Sequence, residues 1–352
     1  MLTTARNYLH HLMGRRSEGW YPLLAVYYLT YACEFRCPYC ADGSGTPYHA
    51  LRCPTLREED LNRILGRIRR ACDHLVVTGG EPTKHVDFAK FLRLLPRHKF
   101  ASVTLTTIGY DLLLHMDDVA RAVRYLVFSL DTMDSAKGDA WLGRGPGCHA
   151  QILASIETAR SYPKRRYEIV ISSVATPDNL PDLHDVFRFA AERGFRHAVC
   201  PVLRGTTPDP ALAGDPRYRK LFDFLIAQKR AGFAVNGSVA YLRTMRDLAQ
   251  FRCRPSTVLA VAPNGDVFYP CLEIGKIAGN LLAQENLHDL RAAGIRSHGP
   301  EPVCGNQCHS ACALAFSLLF ERPATVMSEI FLMIKTRLRR ILGGRRALPP
   351  AR

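Results

Sequence analysis

Three of the 12 cysteines in this 352-residue chain, Cys33, Cys37 and Cys40, stand four and three residues apart. Thiolates this close can each hold one iron of a four-iron, four-sulfur cluster. The fourth iron then lacks a nearby protein thiolate, and an open position is what a catalytic metal centre needs. On spacing alone, the alternative is a zinc ion completed by a distant fourth cysteine. A second set lies far downstream: Cys253, Cys271, Cys304, Cys308 and Cys312. Asn264-Gly265 between two β-prone runs predicts a hairpin, which brings Cys253 and Cys271 together. Cys304, Cys308 and Cys312 step by four, so a continuous helix would put them on one face. Four or more thiolates are therefore expected to converge on one centre; structural zinc or inert buried thiols are the alternatives. His309, between two of them, reads as a helix-surface residue. Of the other cysteines, Cys72 reads as core, Cys200 falls in the sixth strand where it could point into the barrel, and Cys53 and Cys148 fall in loops; simple burial is the expected role, with relay of a hydrogen atom the alternative.

The rest of the chain must position these groups. Its 47% hydrophobic content is enough for a core and excludes a mainly disordered chain. No run of 18 uncharged apolar residues predicts a membrane-spanning helix. The N-terminus lacks the apolar stretch of a signal peptide, so a cytoplasmic chain is expected, with reduced thiols free to bind metal. The net charge is +15. Residues 322–352 hold eight Lys/Arg and a single acid, Glu329. Within them Val326, Met327, Ile330, Phe331, Ile334, Leu338 and Ile341 recur at helical spacing, predicting an amphipathic terminal helix over 324–342. Such a helix either packs on the body or lies on an anionic membrane surface, which would make the protein peripheral. Residues 2–16 repeat the pattern weakly, with Leu2, Leu9, Leu12 and Met13 beside Arg6, Arg15 and Arg16. No nucleic-acid motif is present, so nucleic acid is not an expected partner.

Between residues 24 and 202, strand-like and helix-like runs alternate in six units. The strands fall at 24–30, 74–78, 102–107, 125–130, 168–174 and 197–202. This is the signature of a parallel sheet with right-handed crossovers. Six units are too few for a closed eight-stranded barrel. The expected class is α/β: a partial (β/α)6 barrel of the TIM type with a C-terminal cysteine-rich extension. Gly, Pro and Asp between 204 and 216 predict a linker. The expected layout is an N-terminal helix in 1–20, the barrel in 21–205, the extension in 217–315 and the basic tail in 322–352.

The Cys33-x3-Cys37-x2-Cys40 run after a first strand, with Tyr39 before its third cysteine, resembles the radical SAM superfamily. Thr78-Gly79-Gly80-Glu81-Pro82 after the second strand is similar to that family's glycine-rich segment. Ser129-Leu130-Asp131 and the Ser172-Ser173-Val174…Asn179 stretch agree with it. The resemblance covers about residues 20–205. It implies a [4Fe-4S] cluster on Cys33, Cys37 and Cys40, chelated at its open iron by S-adenosylmethionine (SAM). It further implies reductive cleavage to a 5′-deoxyadenosyl radical, which abstracts hydrogen from a substrate. Gly79, Gly80 and Glu81 are then expected at the methionyl end of SAM, Tyr39 near the adenine, and Ser129 and Asp131 at the ribose. A reductant such as a flavodoxin or ferredoxin is implied as partner.

The downstream cysteines resemble the SPASM and twitch extensions of some members, with one extra residue between Gly265 and Cys271. Five cysteines ligate one cluster, so one auxiliary [4Fe-4S] cluster is expected on Cys253, Cys271 and two of Cys304, Cys308 and Cys312. The basic amphipathic ends suggest a lipid-linked or hydrophobic substrate. Maturation of a ribosomally made peptide is the alternative, and a non-catalytic iron–sulfur or zinc protein is a third.

Overall fold

Hydrophobic runs too short for helices and rich in Val, Leu and Tyr set the strands, and amphipathic runs set the helices that cover them. The computed structural model describes residues 2–14, 19–304 and 307–321. The tail, including the predicted helix over 324–342, and Arg15 and Arg16 lie outside the described residues.

After helix α1 (Leu2–Leu12), strands and helices alternate as β1 (Leu24–Thr30), α2 (Glu58–Ala71), β2 (His74–Gly79), α3 (Phe88–Leu94), β3 (Ser102–Thr107), α4 (Met116–Ala122) and β4 (Tyr125–Ser129). They continue as α5 (Ser135–Leu142), α6 (Cys148–Ser161), β5 (Glu168–Ala175), α7 (Asp182–Glu192) and β6 (Arg196–Pro201). A small ribbon, β7 (Leu203–Arg204) and β8 (Thr207–Pro208), fills the expected linker. Then come α8 (Pro216–Arg230), α9 (Val239–Asp247), β9 (Val258–Val261), β10 (Asp266–Tyr269), β11 (Lys276–Asn280), α10 (Leu287–His298) and α11 (Ala311–Glu321). Helix α2 illustrates the logic. Its buried Leu61, Ile64, Leu65 and Ile68 share one face, and Glu58, Glu59 and Asp60 sit in the first turn, where the helix dipole favours anions.

Nine strands form one sheet in the order β11-β10-β9-β1-β2-β3-β4-β5-β6. The six expected strands are parallel neighbours, and the sheet is not closed. One feature differs from the sequence reading. Strand β9, from the expected extension, pairs parallel with β1, with Leu24 opposite Val258 and Tyr27 opposite Val261. The hairpin around Asn264-Gly265 therefore continues the barrel sheet. Side chains alternate across strands, so Val26 and Tyr28 of β1, Val76 and Thr78 of β2, and Val258 and Ala260 of β9 all face one interior space.

Helix α1 is attached by polar groups. Buried Asn7 donates to the carbonyls of Pro22 (2.7 Å) and Ala71 (2.8 Å), and His11 Nε2 meets the Tyr21 carbonyl. Its apolar Leu2, Leu9, Leu12 and Met13 are exposed, Leu2 at 89%. Tyr8 stacks on Phe320 of α11, with ring centroids 5.0 Å apart.

Candidate functional site

The loop after β1 carries the first cysteines. Its neck is built by backbone packing. Gly80 N donates to Thr30 O (2.7 Å) and Glu81 N to Ala32 O (2.9 Å). A Cβ on Gly79 would lie 2.2 Å from Thr30 O, and one on Gly80 would lie 2.5 Å from Ala32 O. The two glycines therefore let the end of β2 press against the segment leading into Cys33; Gly79 also has φ +151°. Beyond the neck, Arg36 donates to the Cys33 and Phe35 carbonyls, and Cys40 N donates to Cys37 O. Asp42 Oδ1 accepts from Ser44 N and Thr46 N (both 2.9 Å), closing the turn that follows. Burial raises the thiol pKa of all three cysteines, that of Cys40 to about 11, so a metal must displace protons to bind them.

Cys33, Cys37, Tyr39, Cys40, Gly79, Gly80, Glu81, Ser129 and Asp131 all line one cavity of about 170 Å³. Every residue expected at the SAM site is thus brought together. The cavity also takes in Tyr48, His49, Thr107, Ile108 and Ser172, which the sequence reading did not assign to it.

Two carboxylates inside it are firmly held. Glu81 Oε1 accepts from Thr107 Oγ1 (2.6 Å), Thr83 Oγ1 (2.9 Å) and Thr83 N (3.2 Å), and Oε2 accepts from Ile108 N (2.9 Å). Only Oε2 keeps acceptor capacity for a ligand ammonium. Burial raises the Glu81 pKa, and these hydrogen bonds oppose the shift. Asp131 Oδ1 accepts from Val174 N (2.7 Å), and Oδ2 accepts from the Tyr39 phenol. Burial raises Asp131 to about 6. Asn179 donates to the Asp131 and Val174 carbonyls, tying the ends of β4 and β5. Ser173 points the other way, donating to Leu130 O (2.6 Å) and meeting His197, a ring that burial holds neutral with a pKa near about 3.

The second cysteine set gathers differently from the one-helix expectation. Helix α11 begins at Ala311, so only Cys312 of the three closely spaced thiols is helical. Cys253 is brought to Cys304 and Cys308 by a zipper between segments. Phe251 N donates to Gln307 Oε1 (2.8 Å), Gln307 Nε2 donates back to Phe251 O, and Arg254 N donates to Ser317 Oγ (2.9 Å). His309 is not on a helix surface. It is buried with φ +53°, and its ring nitrogens meet Gln307 O and Ala249 O, each at 3.0 Å.

Cys253 interacts electrostatically with Cys304, Cys271 with Cys308 and Cys253, and Cys308 with Cys253 and Cys304. Cys312 interacts with Cys200 at the end of β6 and lines the same chamber as Cys271. Burial raises Cys253 and Cys308 to about 12 and Cys312 to about 11. Between the two cysteine sets lies a chamber of about 470 Å³, lined by Cys40 from one set and by Cys271 and Cys312 from the other.

Residues 27–190 match the radical SAM superfamily model. The GTP 3′,8-cyclase of Rhizobium leguminosarum bv. trifolii is 31% identical over 183 residues, covering 48% of this chain and 50% of that protein. The GTP 3′,8-cyclase of Paracoccus denitrificans is 32% identical over 178 residues, covering 47% and 48%. The chain thus spans about half the length of the curated relatives it matches. Streptococcus suis SuiB superposes with a TM-score of 0.59 at 21% identity, over 79% of this chain and 67% of that one. Its S-adenosylmethionine-bound form gives 0.58 at 20% identity, over 80% and 66%. At these identities the likeness to SuiB is one of fold.

Proposed function

We propose that this chain, whose residues 27–190 match the radical SAM superfamily model, is a member of that superfamily and a two-centre radical enzyme acting on a hydrophobic small molecule or lipid-linked substrate. The family's cofactors are a [4Fe-4S] cluster and SAM, and its members are enzymes that draw an electron from an external reductant. The residues fit that group: three thiols, a Gly-Gly-Glu turn and a buried carboxylate line one cavity. When bound, the cluster and SAM supply a 5′-deoxyadenosyl radical able to remove hydrogen from an unactivated carbon.

The chain's own residues do the rest. Cys33, Cys37 and Cys40 ligate the cluster. Gly79, Gly80 and the free lone pair of Glu81 Oε2 receive the methionyl ammonium. Asp131 and Ser129 receive the ribose hydroxyls, with Tyr39 yielding its hydrogen bond to Asp131 as they arrive. The apolar walls of the larger chamber exclude water from the radical. A small electron carrier such as a flavodoxin or ferredoxin is the proposed donor; the +15 net charge favours an acidic one.

We assign the auxiliary centre to Cys253, Cys271, Cys304 and Cys308, because these four thiols interact in a chain, whereas Cys312 interacts with Cys200. In a cluster each thiolate binds its own iron, so four thiols can serve one centre.

The single observation that carries the proposal is the chamber joining the two cysteine sets. At about 470 Å³ it falls within the range of small-molecule sites. The apolar face that α1 presents outward, beside the end of α11, supports peripheral contact with an anionic membrane. Among the described residues no helix is long and apolar enough to cross one. The test is anaerobic reconstitution followed by dithionite reduction with SAM. Formation of 5′-deoxyadenosine is expected; a zinc-loaded protein that never cleaves SAM would refute the proposal.

A further inference from the structure

The larger chamber has an electrostatic character opposite to that of the chain as a whole. The chain carries +15, yet no Lys or Arg is among the described residues lining either cavity. The larger one contains a single carboxylate, Glu273. That side chain has no hydrogen-bond or ion-pair partner among the described residues, whereas Glu81 and Asp131 are saturated or nearly so. Its position is fixed from behind: Gly43 packs against the Glu273 carbonyl so closely that a Cβ there would lie 1.8 Å from the oxygen.

The charge of Glu273 reaches the Tyr28 and Tyr48 phenols on one side and the Cys271, Cys308 and Cys312 thiols on the other. Tyr28 and Tyr48 stack with centroids 5.7 Å apart, and Val26, Val76 and Ala260 make the facing wall apolar. Glu273 is half-buried on the chamber wall, where its carboxylate is open to pair with a cation that enters. A polyphosphate entering the same space would lose its hydration with no cation to replace it, and Glu273 would repel it.

We propose that this chamber selects a small substrate with a largely apolar body and one ammonium or guanidinium group, which pairs with Glu273, and that it rejects phosphate-bearing nucleotides. The inference rests on reading the chamber as the substrate site of a radical SAM enzyme. It separates this chain from the GTP 3′,8-cyclases to which it is similar, because the described residues lining the chamber include no Lys or Arg to hold a triphosphate.

The experiment uses reconstituted, SAM-loaded protein and a matched trio of probes: 4-phenylbutylamine, 4-phenylbutanol and 4-phenylbutyrate, with GTP alongside. Calorimetry is expected to show the amine binding about tenfold or more tighter than the alcohol, which corresponds to one charge-assisted pair. The butyrate and GTP are expected to bind more weakly still. In Glu273→Gln the amine should fall to the level of the alcohol while the alcohol is unchanged, with iron content measured to verify that both centres persist. If the variant loses iron, the wild-type trio alone decides. Butyrate or GTP binding as tightly as the amine overturns the inference, as does an amine preference that survives in an iron-replete Glu273→Gln protein. The same preparation is assayed for SAM cleavage. No 5′-deoxyadenosine sinks both this inference and the reading beneath it; cleavage without an amine preference sinks only the inference.

Discussion

Replacing the downstream cysteines one at a time separates ligands from bystanders. Cys253, Cys271, Cys304 and Cys308 form one interacting group, while the interaction recorded for Cys312 is with Cys200. Two four-iron clusters give about eight irons per chain. Cys304→Ala or Cys308→Ala removes a ligand from the auxiliary centre, so iron is expected to fall toward about four per chain. Cys312→Ala removes a sulfur from the first turn of α11 without touching the group. Its iron stays near about eight, and its stability falls by about 1 kcal/mol, the scale of one buried methylene. The assay is iron and sulfide quantitation on anaerobically reconstituted protein, paired with electron paramagnetic resonance of the reduced state. In the Cys304 and Cys308 variants the SAM-dependent signal should persist while the second signal disappears. Loss of iron in Cys312→Ala equal to that in Cys308→Ala would show the grouping to be wrong.

Gly80→Ala places a methyl group 2.5 Å from Ala32 O and 2.6 Å from Tyr31 O, so the stem of the Cys33 loop must move. A shift of this kind costs about 100-fold in rate, and 5′-deoxyadenosine production measures it. Asp131, raised to about 6 by burial, is protonated below that pH and ionised above it. Its capacity to accept from the ribose hydroxyls is therefore present above about pH 6 and lost as pH falls through that value. SAM affinity measured by calorimetry should follow this titration, and Asp131→Asn should flatten it. Gln307→Ala strands the buried Phe251 N–H and C=O, a loss of about 1–3 kcal/mol for each group left unpaired. Auxiliary iron should fall while SAM cleavage persists. Deleting residues 324–352 should reduce sedimentation with anionic liposomes; unchanged binding removes the membrane argument.

The first cysteine set was legible because its signal is local. Eight residues from 33 to 40 carry the cysteines, the Gly-Gly turn fixes the neck beneath them, and the ends of β4 and β5 place further groups. The alternating segments similarly disclosed the parallel sheet, since each strand–helix unit carries its own periodicity. What the sequence hid depends on long-range pairing. Nothing in Val258–Val261 announces that it pairs with β1 across more than two hundred residues. Likewise Gln307 reads as an ordinary polar residue until it is seen bonding both backbone groups of Phe251. The four-residue steps of Cys304, Cys308 and Cys312 invited a helix, but the positive φ of His309 breaks the chain just before α11 begins, and the periodicity was accidental.

The pairing of β9 with β1 also brings the two cysteine sets to the walls of one chamber. Strand β1 ends in the Cys33 loop, and its register with β2 places Tyr28 opposite Thr78, one residue before the Gly-Gly turn. Its register on the other edge places Val26 opposite Ala260, within the hairpin that leads to Cys271. Both edges are backbone ladders rather than loops, so the space between the sets is held by elements that resist displacement. The side chains those ladders turn inward are Val26, Val76, Ala260 and Tyr28. Strand alternation therefore makes most of this wall apolar, and the one carboxylate among the described lining residues arrives from outside the strands, on the segment just past Cys271. A chamber whose walls are set by strand register and whose charge is set by one loop residue can change its substrate by altering that loop, without disturbing the sheet that holds the first cysteine set in place.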